Sequence, residues 1–254
     1  MSRMKSRMAH IVLLAACNGE TYIGKQMDSV LSQLCTDDFL LISLDPSDDQ
    51  TRSLIEQRKK HDKRILLYEG PGLGLQKNFE FLLHQAMKLM LQEGTDPKQA
   101  LIFLCDQDDV WLPDKIERCE SAMQNSGAGV AVHDALIIDG SGKTTDDSFM
   151  KKHGSRSGFL NNLIRNSYIG CCMAFRGSEL SEILPFPDPL PMHDQWIGLQ
   201  IDRHSKTVWI DQPLIAYRRH DQNASSMQHA ALTQMLIWRM QMIRALFQRR
   251  KGRR

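Results

Sequence analysis

Carboxylates follow directly on a short apolar run near the middle of the chain. The run is Leu101–Cys105, and the segment Asp106-Gln107-Asp108-Asp109-Val110-Trp111-Leu112-Pro113-Asp114 comes after it. Such a run predicts a buried strand, and α/β sheets bind ligands at the carboxyl ends of their strands. Carboxylates at positions i and i+2 suit one hard cation such as Mg²⁺ or Mn²⁺, whose other ligands are water and a substrate's phosphates. The segment predicts a divalent-metal site for a nucleotide diphosphate; the alternative is an acidic turn capping a helix that begins near Pro113.

The segments before this site alternate between strand patterns and helix patterns. Strands are predicted at His10–Ala16, Phe39–Leu44, Arg64–Tyr68 and Leu101–Cys105, with helical spacing of apolar residues between them. Strands that alternate with helices pair in parallel through right-handed crossovers. The first half of the chain is therefore predicted to be an α/β layer of nucleotide-binding type.

The second half has a less regular pattern. Two helices and a Pro-rich extended loop at Pro185–Pro191 are expected among short strands. The strand segments are Gly129–His133, Ala135–Asp139, Tyr168–Phe175, Thr207–Asp211 and Leu214–Arg218, and the helices are Asn161–Asn166 and Asp194–Asp202.

Composition limits the classes of function. A chain of 254 residues with 42% hydrophobic residues can bury one substantial core, which fits one α/β enzyme domain. The net charge is +2, yet seven Arg and Lys and no acid lie from Ala224 onward, so residues 1–223 sum to −5. This distribution argues against a nucleic-acid binder and leaves a separate basic tail to explain.

The cysteines and the apolar segments indicate a cytoplasmic protein. Six cysteines without a C-x-x-C pair predict reduced, mostly structural thiols. A lipoprotein cleavage site is resembled by Leu14-Ala15-Ala16-Cys17. The apolar segment that ends before Cys17, Ile11–Ala16, has only six residues, whereas the apolar region of a signal peptide needs ~7–15. No stretch approaches the ~18–20 apolar residues of a membrane-spanning helix, so any membrane attachment is expected to be peripheral, on the inner face of the cell membrane.

Five motifs in order resemble those of the family 2 inverting glycosyltransferases of the GT-A fold, most closely the rhamnosyltransferase-like branch that builds bacterial polysaccharides. They are Ala16-Cys17-Asn18-Gly19-Glu20, Ile42-Ser43-Leu44-Asp45-Pro46-Ser47-Asp48-Asp49-Gln50-Thr51, Cys105–Asp114, Met192-His193-Asp194-Gln195-Trp196 and Tyr217-Arg218-Arg219-His220-Asp221-Gln222-Asn223. The resemblance covers roughly residues 9–225 and implies a GT-A domain with a mostly parallel central sheet flanked by helices. Residues 1–8 are then a basic extension, and 226–254 an amphipathic helix with a polybasic tail.

The resemblance implies a division of work among the polar residues. Asp108 is the expected metal ligand, with Asp106 at the metal or the donor's ribose and phosphate, and His220 as a further metal or phosphate contact. The remaining contacts to the nucleotide-sugar are assigned to Asn18, Glu20, Asp45, Lys77, Asn78, Arg218 and Arg219. The loop Gly70-Pro71-Gly72-Leu73-Gly74 fails the dinucleotide pattern G-x-G-x-x-G because position 77 is Lys. By resemblance this loop precedes the donor-binding Lys77 and Asn78.

Asp194 is the candidate general base. An inverting displacement needs a carboxylate opposite the leaving group, with a pKa raised enough to accept a proton. Asp at a boundary between loop and helix is also a common helix cap, and both roles are compatible. Trp196 is expected to form a wall of the acceptor pocket.

The C-terminal segment predicts an amphipathic helix. Its apolar face contains Leu232, Met235, Leu236, Met240, Ile243, Leu246 and Phe247, and its polar face contains Gln234, Gln241, Arg244 and Gln248. Arg249-Arg250-Lys251-Gly252-Arg253-Arg254 follows. The pattern is typical of a helix at an anionic membrane surface; the alternative is a helix packed on the domain with a solvated tail.

Together these features predict a metal-dependent transferase that moves a sugar, with a rhamnose-like deoxysugar favoured, from a nucleotide-diphosphate donor to a glycan or lipid-linked acceptor. Two departures from the family motif leave room for a catalytically inactive glycan-binding or scaffold module. Leu44 replaces the first acid of the paired-Asp loop and Pro46 replaces its glycine, although Asp45 remains. An aspartate-based phosphoryl transferase is a third possibility, but Ala15-Ala16-Cys17-Asn18 offers no carboxylate after the first strand.

Overall fold

A computed structural model of the chain describes residues 7–220 and 232–251. Strands and helices alternate in its first half, as the apolar pattern predicts. In chain order the elements are β1 (Ala9–Ala16), α1 (Ile23–Leu31), β2 (Phe39–Leu44), α2 (Thr51–Lys59), β3 (Ile65–Glu69), α3 (Leu75–Gln92), β4 (Ala100–Asp106), β5 (Val110–Trp111), α4 (Lys115–Ser126), β6 (Val130–Ile138), β7 (Thr144–Asp146), α5 (Phe149–His153), α6 (Phe159–Ile164), β8 (Met173–Arg176), α7 (Leu180–Ile183), α8 (His193–Asp202), β9 (Thr207–Arg218) and α9 (Leu232–Lys251).

The described strands form one sheet in the order β3-β2-β1-β4-β8-β6-β9-β5, with β7 paired to β6. The predicted parallel order holds for β3, β2, β1 and β4. Beyond β4 the sheet is mixed, because β8 runs antiparallel to both β4 and β6 while β9 runs parallel to β6. The α/β class is confirmed, and the carboxyl ends of β1, β2 and β4 meet at one edge.

Two apolar layers cover the two faces of the sheet, because successive side chains of a strand point to opposite faces. In β1, Ile11, Leu13 and Ala15 join a core with α3, α8 and α9. Val12 and Leu14 join a second core with α1, α2 and α4. With both faces covered, the strand ends are where polar side chains reach solvent and a ligand.

The second half of the chain contains longer strands than predicted. Gly129–His133 and Ala135–Asp139 form the single strand β6, whose register with β9 shifts at Asp134. The buried Asp134 carboxylate accepts hydrogen bonds from the backbone N–H of Ala135 and of Met150, each at 2.8 Å. The predicted interruption at Asp134 is thus a shift of register within one strand.

Three other predicted elements change extent. A single strand, β9, replaces the two predicted strands at Thr207–Asp211 and Leu214–Arg218, and it pairs with β6 along its length. Tyr168–Phe175 is not one strand, because a 3₁₀ turn over Gly170–Cys172 precedes β8. The predicted helix at Asn161–Asn166 is α6, shifted toward the N-terminus.

The C-terminal helix α9 is present, but the structure divides its predicted apolar face. Met242, Ala245 and Leu246 pack into the core with α3 and α8. Leu236, Met240, Ile243 and Phe247 are exposed. Of these three core residues only Leu246 belongs to the predicted apolar face, so the helix packs on the domain along one edge of that face and leaves most of the rest exposed. Helical periodicity does not fix which part of a broad apolar surface contacts the domain. Among the described helices, none has both the length and the apolar character needed to cross a membrane.

Some predictions concern residues outside the described ranges. These are Asn223 of the last motif, the domain boundary between residues 225 and 226, the first six residues of the extension, and the final residues of the tail. The side chain of Leu232 is also outside the description.

Candidate active site

The loops that follow β1, β2 and β4 meet at one edge of the sheet. The register places Ala16 beside Leu44 and Ala15 beside Asp106. The residues just beyond these positions therefore lie side by side, which brings together three of the predicted motifs.

Side chains from each loop bind the backbone of the next. Gln107 accepts a hydrogen bond from Cys17 N at 2.9 Å and donates one to Cys17 O at 2.8 Å. Asn18, which has a left-handed backbone (φ +48°), accepts a bond from Asp48 N at 2.9 Å. The Glu20 carboxylate accepts one from Gln50 N at 2.9 Å. Asn18 and Glu20 thus join the loops after β1 and β2, and Gln107 is a positioning residue that the sequence did not reveal.

Asp45 lies under the glycine-rich loop. Its Oδ1 accepts a hydrogen bond from Gly72 N at 2.9 Å, and Gly70 N donates to Leu44 O at 2.8 Å. A Cβ on Gly70 would lie 2.3 Å from Asp45 Oδ1, so this close approach requires glycine. These contacts fix Asp45 against the glycine-rich loop, and its contact with the nucleobase stays a prediction.

Lys77 and Asn78 begin α3 behind that loop. Asn78 is buried, and its Nδ2 donates to Ser43 O at 3.3 Å. Lys77 is more exposed and forms an ion pair with Glu80 at 2.8 Å. Asn78 therefore anchors the helix to β2, while Lys77 retains access to solvent; donor contact by either residue stays a prediction.

Asp106, Asp108 and Asp109 form a carboxylate cluster at the end of β4. Burial, together with the charges of Asp108 and Asp194, raises the pKa of Asp106 to about 7. Burial and the Asp108 charge raise the pKa of Asp109 well above its usual range. Like charges this close repel each other, and a bound cation relieves that repulsion.

His220 reaches this cluster from the end of β9. Its Nε2 lies 2.9 Å from Asp108 Oδ2, and its ring centroid is 5.0 Å from that of Tyr22. The structure therefore brings the predicted metal residues Asp108 and His220 into contact, although they are 112 positions apart along the chain. The third predicted residue, Asp106, lies near enough for the charge of Asp108 to raise its pKa.

A second donor set lies deeper in the protein. Ligand atoms of Asp106, Asp109 and Cys171 lie within 4.8 Å of one another. Hydrogen bonding to the neighbouring Cys172 and burial raise the pKa of the Cys171 thiol well above its usual range. Asp109 Oδ1 already accepts a bond from Arg218 N at 2.9 Å. Mg²⁺ and Mn²⁺ prefer oxygen ligands, which the two carboxylates of this deeper set supply and its thiol does not. Metal binding by Asp106, Asp108 and His220 stays a prediction.

Lys115 lies beneath the cluster and is fully buried. Its ammonium donates to Cys171 O at 2.7 Å and lies 4.1 Å from the centroid of the Trp111 ring. Its charge lowers the pKa of Asp106 and so opposes the effect of burial. A sequence pattern does not identify such a lysine, because a lysine in the first turn of a helix is normally solvated.

Arg218 is committed mainly to backbone contacts. It is buried, its Nε donates to Asp108 O at 2.8 Å, and its Nη1 donates to Asp139 O at 3.0 Å. The guanidinium also lies 4.5 Å from the centroid of the Tyr22 ring. These contacts favour a structural role, which orients the β4 loop and the neighbouring His220. Arg219 donates to Tyr217 Oη at 3.0 Å and is less buried; phosphate contact by either arginine remains a prediction.

Asp194 lies in the first turn of α8, close enough to Asp106 for its charge to raise the pKa of that residue. Its Oδ1 accepts hydrogen bonds from Gln195 N at 2.6 Å and Asn166 Nδ2 at 3.2 Å. Burial outweighs these bonds and raises the pKa of Asp194 to about 6. A carboxyl group with this pKa is ionised near neutral pH and is still basic enough to accept a proton. Asn166, which orients Asp194, was not among the predicted residues.

The structure corrects the placement of Trp196. The indole is 1% exposed, packs in the core with α3 and α9, and donates from Nε1 to Ile183 O at 2.9 Å. A side chain so deeply buried does not form the wall of an open pocket. The error has a simple cause, since positions 194 and 196 differ by about 200° around a helix and face different surroundings.

Solved structures share this architecture. TarS 1–349 of S. aureus in complex with UDP-GlcNAc matches with a TM-score of 0.66 and 14% identity over 93% of this chain and 66% of that one. The glucosyl-3-phosphoglycerate synthase of Mycobacterium tuberculosis, with Mn²⁺, UDP and glucosyl-3-phosphoglycerate, matches with a TM-score of 0.55 and 15% identity, covering 96% and 81%. At these identities the likeness shows the GT-A fold.

Three relatives are similar in sequence. An uncharacterized glycosyltransferase of Nostoc sp. is 26% identical over 70% of this chain and 54% of its own length. The putative teichuronic acid biosynthesis glycosyltransferase TuaG of Bacillus subtilis is 27% identical, covering 85% and 81%. The dTDP-rhamnosyl transferase RfbG of Shigella flexneri is 25% identical, covering 83% and 72%. The chain thus spans about half the length of the first relative and more of the other two.

The family model for "Glycosyl transferase family 2" matches residues 11–184, more than half of the chain. The matched range contains the strands β1 to β4, the interlocked loops and the carboxylate cluster. The chain belongs to glycosyl transferase family 2.

Proposed function

We propose that this protein transfers a sugar from a nucleotide-diphosphate donor to an acceptor hydroxyl, with inversion at the anomeric carbon, in the synthesis of a bacterial cell-surface polysaccharide. One observation carries the proposal: the carboxylate cluster of β4 and the raised-pKa carboxyl group of Asp194 lie within electrostatic reach of each other. The carboxylate cluster is suited to holding a cation at the diphosphate leaving group, and Asp194 is suited to accepting the proton of the acceptor hydroxyl.

The donor side is formed by the loops after β1, β2 and β3. Asp45 under the glycine-rich loop is assigned to the nucleobase, with Asn18, Glu20, Lys77 and Asn78 around it. Asp106, Asp108 and His220 are assigned to a divalent cation, which when bound acts as a Lewis acid on the diphosphate. Mg²⁺ or Mn²⁺ is the expected ion, by analogy with the Mn²⁺ in the M. tuberculosis neighbour.

Asp194 is assigned to the acceptor. Its carboxylate takes the proton from the acceptor hydroxyl as that oxygen bonds to the anomeric carbon, and the bond from carbon to the phosphate oxygen breaks. The nucleoside diphosphate leaves with the electron pair of that bond. Asn166 and the Gln195 N–H hold Asp194 in one orientation, and burial keeps its pKa high enough for the proton transfer.

A rhamnose-like deoxysugar is our choice of donor, supported by the similarity to RfbG. The acceptor is assigned as a glycan or a lipid-linked saccharide, which would place the reaction at the cytoplasmic face of the cell membrane. The replacement of the first acid by Leu44 does not argue for an inactive scaffold. Leu44 is buried in the core, and Asp45 still makes its contact with Gly72 N.

A donor panel that detects nucleoside diphosphate release tests the proposal. The purified protein is incubated with dTDP-, UDP- and GDP-sugars, an acceptor extract, and either Mn²⁺ or EDTA. We expect release with one donor class, dependent on metal and acceptor, and lost in Asp108→Asn. Asp211→Asn is the matched control, since Asp211 is exposed on β9. Binding of no nucleotide diphosphate in Mn²⁺ would favour the scaffold function instead.

A further inference from the structure

Large apolar side chains are exposed mainly on two neighbouring helices. Among the described residues, seven of the ten large hydrophobic side chains that are exposed belong to α6 and α9. They are Leu160 (71% exposed), Ile164 (64%), Leu236 (59%), Ile237 (46%), Met240 (70%), Ile243 (39%) and Phe247 (61%). We call these seven residues the apolar face.

The apolar face is continuous along each helix. Leu160 and Ile164 lie one turn apart on α6, and Leu236, Met240, Ile243 and Phe247 follow successive turns of α9. The two helices are in contact, and Arg239 of α9 donates from Nε to Ile164 O at 2.6 Å. Contiguous exposed apolar surface of this kind marks an interaction site.

Basic residues outnumber acids around the apolar face, although Asp188 lies beside Arg244 and Asp146 pairs with Lys152. Residues 232–251 include five basic residues and no Asp or Glu, and residues 149–166 include four basic residues and no acid. The whole chain has nearly equal numbers of the two signs, with 32 basic and 30 acidic residues. A positive rim around apolar side chains complements an anionic lipid headgroup layer above an acyl core. The same rim opposes a second copy of this chain, because two such faces would bring like charges together.

We propose that the apolar face docks on an anionic phospholipid surface, with α6 and α9 lying in the interface. What docking implies for the acceptor rests on the proposed function, in which Asp194 is the base. Helix α6 leads directly to Asn166, which donates a hydrogen bond to Asp194. Docking through α6 places the acceptor side of the active site near the lipid surface. The acceptor class that this orientation selects is a saccharide on a membrane lipid.

Vesicle cosedimentation tests the docking. The full chain, without donor or metal, is mixed with vesicles of phosphatidylglycerol and phosphatidylcholine in equal parts, and with pure phosphatidylcholine vesicles. We expect binding to the anionic vesicles alone. Leu160→Glu on α6, and separately Met240→Glu with Phe247→Glu on α9, should each weaken binding at least about tenfold, or about 1.4 kcal/mol.

Leu91→Glu is the matched control, because Leu91 is 84% exposed on α3, outside the apolar face. It should bind vesicles like the unaltered protein, and all variants should keep the thermal midpoint of that protein. Wild-type protein that stays in the supernatant with anionic vesicles would overturn the proposal, as would a Leu160→Glu variant that binds normally. Sedimentation velocity adds a second check: a dimer that the face variants dissociate would make the face a subunit interface.

The experiment separates this inference from the proposed function. Because vesicle binding is measured without donor, a protein that docks but releases no nucleoside diphosphate would disprove only the transferase. A protein that turns over a soluble acceptor but does not bind vesicles would disprove only the docking.

Discussion

Replacing Asp194 by Asn should remove activity and, near neutral pH, increase stability. Burial raises the pKa of Asp194 from 3.8 to about 6. That rise corresponds to about 3 kcal/mol by which the folded state disfavours the ionised carboxyl group. The Asn side chain carries no charge and avoids this cost, but it loses the acceptor for the Gly170 N–H, worth about 1 kcal/mol. The expected net gain is about 2 kcal/mol at pH 7.

The gain should depend on pH in a defined direction. Below pH 3.8 the carboxyl group is protonated in the folded and unfolded chains, so the charge cost is absent. Between pH 3.8 and 6 the unfolded chain releases the proton first, and the wild type loses stability as pH rises. Above pH 6 the full cost is present. The Asn variant should therefore be slightly less stable than wild type at the acidic end and more stable at pH 7.

Urea unfolding of the two proteins across this pH range, in EDTA, measures the difference, with Asp211→Asn as the control. Turnover of the Asn variant should fall by about 10²–10⁴, with donor affinity nearly unchanged. In the wild type, kcat/KM should rise tenfold per pH unit up to about pH 6 and then level off. A variant that is less stable by the same amount at every pH, with parallel losses in donor binding and rate, would show that Asp194 is a helix cap and not a base.

Three further predictions concern the donor side. Asp108→Asn should abolish the Mn²⁺-dependent part of nucleotide diphosphate binding in calorimetry while the fold is kept, and equal binding in Mn²⁺ and EDTA by the wild type would refute the metal assignment. Gly70→Ala places a Cβ 2.3 Å from Asp45 Oδ1; it should cost about 1–3 kcal/mol of stability and weaken donor binding. The control Gly94→Ala meets no atom within 4 Å but has φ +65°, so it should cost stability through backbone strain alone and leave donor binding intact. Lys115→Met should lower the free energy of unfolding by about 3 kcal/mol, and added Mn²⁺ should restore part of that loss if the cluster binds a cation.

The strand-end placement of the site could be predicted from the sequence because parallel strands leave a strong local signal. The apolar run Leu101–Cys105 followed by Asp106 is readable without any knowledge of its neighbours. Sheet pairing then brings Asp45 and the loop at Asn18 to the same edge. His220 came from motif resemblance alone, since no local pattern links it to Asp108.

The remainder depends on tertiary contacts that a sequence pattern does not contain. Gln107 and Asn166 are ordinary polar residues until their partners are known. The hydrogen bonds from the Arg218 guanidinium to the backbone carbonyl groups of Asp108 and Asp139 are likewise visible only in the structure. The division of α9 between a packed and an exposed face depends on the rotation of the helix about its axis, which periodicity leaves open.

The interlocked loops have a consequence for altering donor preference. Gln107 binds the backbone of Cys17, Asn18 that of Asp48, and Glu20 that of Gln50, so the loops after β1 and β2 are each shaped by side chains from another loop. A single loop grafted from a relative would arrive without the partners that maintain its conformation. Loops taken together as a matched set keep those partners, and chimeras that exchange all three are the ones we expect to change sugar preference without losing the pocket.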